Sequence, residues 1–326
     1  RRHSFPTRRS SDLKRLVAAD VCLSLLPDLL LNLAFSHFLS GVQMKKLLIS
    51  LLLSSSALFA APIAMANSQF SALQMAQVQL DSLSFKNIMR QFYSGQMSRG
   101  YVDDEELSKM PHITLGQADE DENTTVALMH PVIEYKNNAK ESRYLVMIEK
   151  IQVGSEGNVV SCHACAGTAD LFSFKKLHNG QYQLVSRSAK DAEFSGSWGR
   201  VGLDLEEIAK NLKPLGKNLV GSIFQNGYTS TGTTELWWEA LHLPENDFIN
   251  SYGVADAGAD NGGSYEEDSP LYYSYDSSLD VINNGAAYFP LKVTYQGEKP
   301  TEDYDQIRKV NYSKLFHFNA IKKEYK

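Results

Sequence analysis

From Thr124 to its C-terminus the chain is a succession of strand-length apolar runs, and this pattern restricts the possible folds more than any other feature. The runs TVALMHPVIEY, RYLVMIEKIQV, ADLFSFKKL and YQLVSRS are rich in β-branched and aromatic residues, as strands require. NLVGSIFQ, TTELWWEALHL, YYSYDSS, AYFPLKVTYQG and KVNYSKLFHFN continue the series after residue 217. Turn formers separate them: Lys136-Asn137-Asn138, Gly154-Ser155-Glu156-Gly157 and His178-Asn179-Gly180. Asn179-Gly180 is the strongest hairpin signal, because both residues tolerate positive φ. Closely spaced strands without alternating helices predict antiparallel pairing, hence a mainly β chain folded as a sandwich or barrel-like domain over 124–326. The stretch Val254 to Ser269, rich in Gly and Asp, reads as a surface loop within it.

Two helical segments are expected beside the sheets. Phe85, Ile88, Met89 and Phe92 recur at spacings of three and four, which predicts a helix over 68–95. A short internal helix is expected at Asp204–Leu212, stopped by Pro214. Residues 101–123 are acid-rich and read as a loop or a solvated face, so 67–123 forms a helical and acidic N-terminal segment.

The region before residue 67 has a different character. Residues 1–43 read as non-native, being adapter-derived sequence followed by upstream translation. Asp20, Pro27 and Asp28 interrupt the only apolar run there, which argues against a membrane span. Residues 44–66 have the grammar of a secretory signal peptide. Lys45 and Lys46 supply the positive start, Leu47–Ala61 the apolar centre and Ala64-Met65-Ala66 the cleavage site. The expected location is periplasmic or secreted, with no transmembrane anchor in the mature chain. Removing residues 1–66 takes away eight basic and three acidic side chains, leaving a net charge of −11. So acidic a chain is a poor candidate for binding nucleic acid.

Few motifs carry chemistry. Cys162-His163-Ala164-Cys165 contains both cysteines that remain after the leader. In an oxidising compartment they are expected to form a structural disulfide. Redox exchange through Cys162 and Cys165 is one alternative, and metal binding by Cys162, His163 and Cys165 is another. Gly196-Ser197-Trp198-Gly199 predicts a tight turn tucking its indole against a sheet, with ligand stacking as the alternative. Trp237 and Trp238 must point to opposite faces of a strand, so either one can be exposed for stacking, as can Tyr228. Asp256, Asp260 and Asp268 offer oxygen ligands for Ca²⁺, though not at EF-hand spacing. HExxH, Walker A and GxGxxG motifs are absent.

Between Leu145 and Leu243 the order of these motifs resembles a group of uncharacterised exported bacterial proteins. The shared features are the Cys-His-Ala-Cys pair, Leu171–Phe174, Tyr182-Gln183-Leu184, the Gly-Ser-Trp-Gly turn and Gly227-Tyr228-Thr229. The resemblance implies export and a common scaffold, and no particular reaction. With no catalytic set in view, the expected role is a binding or structural protein of the cell envelope with an unidentified ligand or partner. No cofactor is expected beyond the alternative metal ion. Thiol-disulfide exchange, and carbohydrate binding through exposed Trp and Tyr, stand as the alternatives.

Overall fold

The computed structural model describes residues 69–326 apart from Asp191 and Glu302. The expected leader at 44–66 and the stretch 1–43 lie outside the described residues. The first sheet contains β1 (Gln79–Leu80), β2 (Met97–Ser98), β3 (His112–Leu115), β4 (Thr124–Met129), β5 (Ile133–Lys136), β6 (Ser142–Val153), β7 (Thr168–Lys176) and β8 (Tyr182–Arg187). Its order is β1-β8-β7-β6-β4-β3-β2, all antiparallel, with β5 pairing the N-terminal half of β6. Asn179-Gly180 closes the β7–β8 hairpin with Gly180 at φ 88°, as its sequence predicts.

Alternation along β6 explains how this sheet is covered. Leu145 and Met147 point into a core shared with the second sheet, while Val146 and Ile148 point the other way. Helix α2 (Phe85–Phe92) covers that second face through Ile88 and Met89. Burying each such side chain contributes about 1.5–3 kcal/mol. The N-terminal segment is therefore part of the sheet's core.

The expected single helix over 68–95 is instead two helices, α1 (Ala72–Gln77) and α2, separated by β1. The exposed edge of β8 offers backbone partners that residues 78–80 satisfy, including the Leu184 N–H donated to the Val78 carbonyl at 3.0 Å. That pairing outweighs local helix propensity. Part of the expected acidic loop likewise becomes β3, paired with β4. The run TVALMHPVIEY is split into β4 and β5 because Pro131 has no N–H for the ladder. Both pieces remain on β6.

A small hairpin, β9 (Gly196–Ser197) with β10 (Arg200–Val201), and helix α3 (Leu205–Lys210) connect the sheets. The Asp204 side chain caps α3 by accepting from the Glu206 and Glu207 N–H groups. The second sheet runs in sequence order: β11 (Lys213–Gly216), β12 (Leu219–Ser230), β13 (Thr233–Leu243), β14 (Asn250–Asp260), β15 (Ser274–Val281), β16 (Leu291–Pro300) and β17 (Ile307–Phe316). It curls into a half-barrel. Val220, Phe224, Leu241 and Leu243 pack against the first sheet, and Ile223, Ala240, Leu291 and Val293 fill the opposite face. A C-terminal hairpin, β18 (Phe318–Asn319) and β19 (Glu324–Tyr325), closes that face. The fold is thus a mainly β antiparallel sandwich with a barrel-like second sheet.

The expected loop at 254–269 is strand β14 as far as Asp260. Its small residues serve close packing: a Cβ on Gly258 would lie 2.7 Å from the Tyr275 carbonyl oxygen. Among the described residues no helix is long and apolar enough to cross a membrane.

Candidate functional site

The connection from β6 to β7 carries the cysteine pair. Cys162 and Cys165 are disulfide-bonded with their Cα atoms 4.9 Å apart. The Cys165 N–H donates to the Cys162 carbonyl at 3.0 Å, so the bridge staples one tight turn. Cys162 is exposed, and no helix begins at either cysteine.

The β9–β10 hairpin docks directly onto this turn. The Trp198 N–H donates to the Cys162 carbonyl at 2.9 Å, and the Gly199 N–H to the Cys165 carbonyl at 2.8 Å. Both turn residues lie at positive φ, Trp198 at 55° and Gly199 at 78°. For an L-residue this conformation costs roughly 1–2 kcal/mol, and strain of this kind clusters at functional sites. Gly199 cannot be replaced cheaply, since its Cβ would sit 2.6 Å from the Val160 carbonyl oxygen.

Trp198 is therefore held outward. Its side chain is 52% exposed, and its indole lies against the His163 imidazole with ring centroids 4.0 Å apart. The expected tucking of this indole against a sheet does not occur. The turn's hydrogen bonds are satisfied by the cysteine loop, and the ring points away from the sheet contacts a buried Trp needs.

Beside this pair opens a cavity of about 470 Å³, lined by His163, Ser195, Ser197, Arg200, Asn226, Tyr228, Ser230 and Trp237 among others. Strand register explains the last four: Asn226 pairs with Trp237 and Tyr228 with Glu235 across β12–β13, so they share one face. Trp237 and Trp238 diverge as alternation requires. The Trp238 indole donates to Ser277 on the far face, whereas the Trp237 indole donates to Glu239 at 2.8 Å. Tyr228 is exposed and donates its hydroxyl to Glu235 at 2.7 Å, which raises its pKa.

Two buried carboxylates support the cavity. Glu149 on β6 accepts Arg200 Nε and Nη2 in a fork at 2.8 Å each, His130 Nε2 at 2.8 Å and the Val201 N–H at 3.0 Å. Burial pushes its pKa up, but these donors outweigh burial and hold it at about 2. Arg200, anchored this way, projects its remaining surface into the cavity. Glu239 on β13 is 3% exposed and accepts from Ser195, Trp237 and Ser251, whose hydroxyl lies at 2.7 Å. It fixes the angle of the Trp237 ring.

Sequence reasoning overlooked both acids. Their signal was present: Glu149 directly follows the apolar stretch Leu145–Ile148 and Glu239 sits between Trp238 and Ala240, and a carboxylate buried there must be paired.

The calcium candidates do not converge. Asp256 pairs with Lys299 at 2.7 Å, Asp260 caps the Gly262 N–H, and Asp268 lies exposed in the following loop. With both sulfurs in the disulfide, Cys162 and Cys165 present no thiolate to a metal in this state. Among the described residues no group of three or more His, Cys, Asp or Glu is arranged to hold a metal ion. The structure instead brings together Cys162, His163, Cys165, Trp198, Tyr228 and Trp237, and leaves Trp238, Asp256, Asp260 and Asp268 elsewhere. Ser195 donates to a carboxylate, Glu239, and His163 is engaged with Trp198, so no nucleophile–imidazole pair forms here. No known protein family, curated protein or solved structure matches this chain.

Proposed function

We propose that this chain is an exported binding protein of the cell envelope whose ligand is a carbohydrate, held in the cavity between the cysteine loop and the β12–β13 hairpin. One observation carries the proposal: four motifs distant in sequence meet around one open cavity, with aromatic rings and neutral polar groups on its walls. Sugars present apolar C–H faces to aromatic rings and hydroxyls that both donate and accept. Tyr228 and Trp237 offer rings on its walls and Trp198 stands at its edge against His163, while Ser197, Ser230 and Asn226 offer hydroxyl and amide partners. A volume of about 470 Å³ lies within the range of small-ligand sites. The signal-peptide grammar of 44–66 supports delivery to the envelope.

The test is a glycan array followed by titration of the bound sugars, read by intrinsic tryptophan fluorescence. Trp198→Ala and Trp237→Ala are each expected to weaken binding about tenfold, the loss of one stacking platform. A protein that binds no glycan, or binds equally well without either ring, would overturn the proposal.

A second role, thiol-disulfide exchange, is favoured by the exposure of Cys162 next to His163, which lines the cavity. It predicts catalysis of insulin reduction that is lost in Cys162→Ala. A reduction potential below roughly −300 mV would mark the bridge as structural instead.

A further inference from the structure

The cavity beside Trp198 does not end at its own walls. Trp237 also lines a second cleft of about 660 Å³, bounded by Tyr275, Lys299, Tyr304, Arg308 and Tyr312. A third depression of about 430 Å³ joins the two: it shares Tyr228 and Ser230 with the first and Glu235, Tyr273 and Tyr304 with the second. The depressions are thus contiguous around the turn end of the β12–β13 hairpin. Aromatic rings recur along the whole track, and several stand out from the surface: Tyr228 is 46% exposed, Tyr304 64% and Tyr312 46%. Tyr312 is backed by Tyr295, stacked at 5.0 Å, so its orientation is supported from behind.

The formal charges along this track balance: Lys299 is ion-paired with Asp256, and Glu235 and Arg308 are of opposite sign. Lys299 sits 2.7 Å from Asp256, with its ammonium 4.6 Å from the Tyr275 ring centroid. Glu235 accepts from Tyr228, and Arg308 is held by the Gln306 side chain. The chain from residue 67 onward carries a net charge of −11, which disfavours approach by a polyanion. A long, open, aromatic track with balanced charges fits a neutral polymer better than a single small molecule or an acidic chain.

We propose that the ligand is a neutral polysaccharide, and that the cleft around Tyr304 and Tyr312 is a second subsite engaged by sugar units beyond those bound near Trp198. This rests on the glycan assignment of the first cavity. Trp237, half-buried and lining both clefts, marks where the polymer passes between them. Tethered units entering the second cleft bind at high effective concentration, so affinity rises with chain length without any change in the first cavity.

The experiment is isothermal titration of the full exported chain with neutral oligosaccharide series (cello-, xylo-, manno- and chito-oligosaccharides), each from disaccharide to hexasaccharide. Affinity is expected to rise about tenfold or more along the series that binds, with little dependence on salt. In a Tyr304→Ala/Tyr312→Ala variant, checked by thermal melt, the hexasaccharide should bind no better than the disaccharide does. Trp198→Ala should weaken every length alike. A flat length dependence, or a length gain that survives the double tyrosine variant, overturns the second subsite while leaving the first cavity's assignment intact. Preference for uronic-acid oligomers with steep salt dependence overturns the neutral class. Failure of every sugar to bind overturns the glycan assignment itself.

Discussion

Replacing Glu149 with Gln tests the electrostatic centre of the molecule. The native carboxylate is 1% exposed and receives four donated hydrogen bonds, two of them from the Arg200 fork. Its pKa falls from 4.5 to about 2, so folding favours the charged form. The sign follows: the unfolded carboxylate takes up a proton first as pH falls. The stabilisation is complete above about pH 4.5 and is lost as pH drops toward 2. The shift corresponds to about 3 kcal/mol, near the lower end of the cost of breaking a buried ion pair. The low end is appropriate because the Arg200 side chain is 39% exposed and can turn to water. Glu149→Gln preserves shape but sets an amide N–H₂ against the donors of Arg200 or His130. The expected loss at pH 7 is about 3 kcal/mol, or a fall in Tm of roughly 6–12 °C for a domain of this size. Urea unfolding at several pH values measures it, and the gap between wild type and variant should narrow below about pH 4. A loss under about 1 kcal/mol at pH 7, or a gap that stays constant into acid, would refute the reasoning.

Three further outcomes follow from the same structure. Air-oxidised protein should show no titratable thiol until reduced, and Cys162→Ala/Cys165→Ala should cost about 2 kcal/mol by loop entropy and weaken ligand binding by up to about tenfold, the loss expected for Trp198→Ala, because the Trp198 N–H hangs from the Cys162 carbonyl. Two free thiols before reduction, or unimpaired binding in the variant, would contradict this. His242 is buried among Tyr252, Tyr288, Phe318 and Tyr325, and burial holds its pKa down at about 3. The native ring stays neutral while the unfolded one charges below about 6.5, so stability falls with pH between those values; His242→Gln should flatten that slope in urea midpoints. Gly180→Ala, which meets open space, should cost about 1 kcal/mol for its positive φ, whereas Gly199→Ala should cost at least twice that in thermal melts, and equal costs would show that the hairpin does not dock as closely as described.

The strands were legible because their causes are local. Alternation in RYLVMIEKIQV reports two covered faces, and Asn179-Gly180 reports a hairpin whatever surrounds it. Asp204 announces the start of α3 for the same reason, since a cap needs only the next three residues. The misread segments had partners far away in sequence. Residues 78–80 pair with β8 about a hundred positions later, and the small residues of β14 are strand residues only because Tyr275 packs so close to them. Helix periodicity and loop composition carry no information about such neighbours.

The candidate site divides along the same line. Each of its parts was visible in the chain: a cysteine pair three apart, a Trp between glycines, adjacent tryptophans and an exposed-type tyrosine. Their residue types already say what each can contribute, because stacking and disulfide formation are properties of the side chains. That Trp198 faces solvent, that Trp237 rests on a buried Glu239, and that His163, Tyr228 and Trp237 line one cavity depends on two sheets meeting face to face. Which face is buried is set by the packing of segments far apart in sequence, and no local pattern encodes which of two faces a partner will cover.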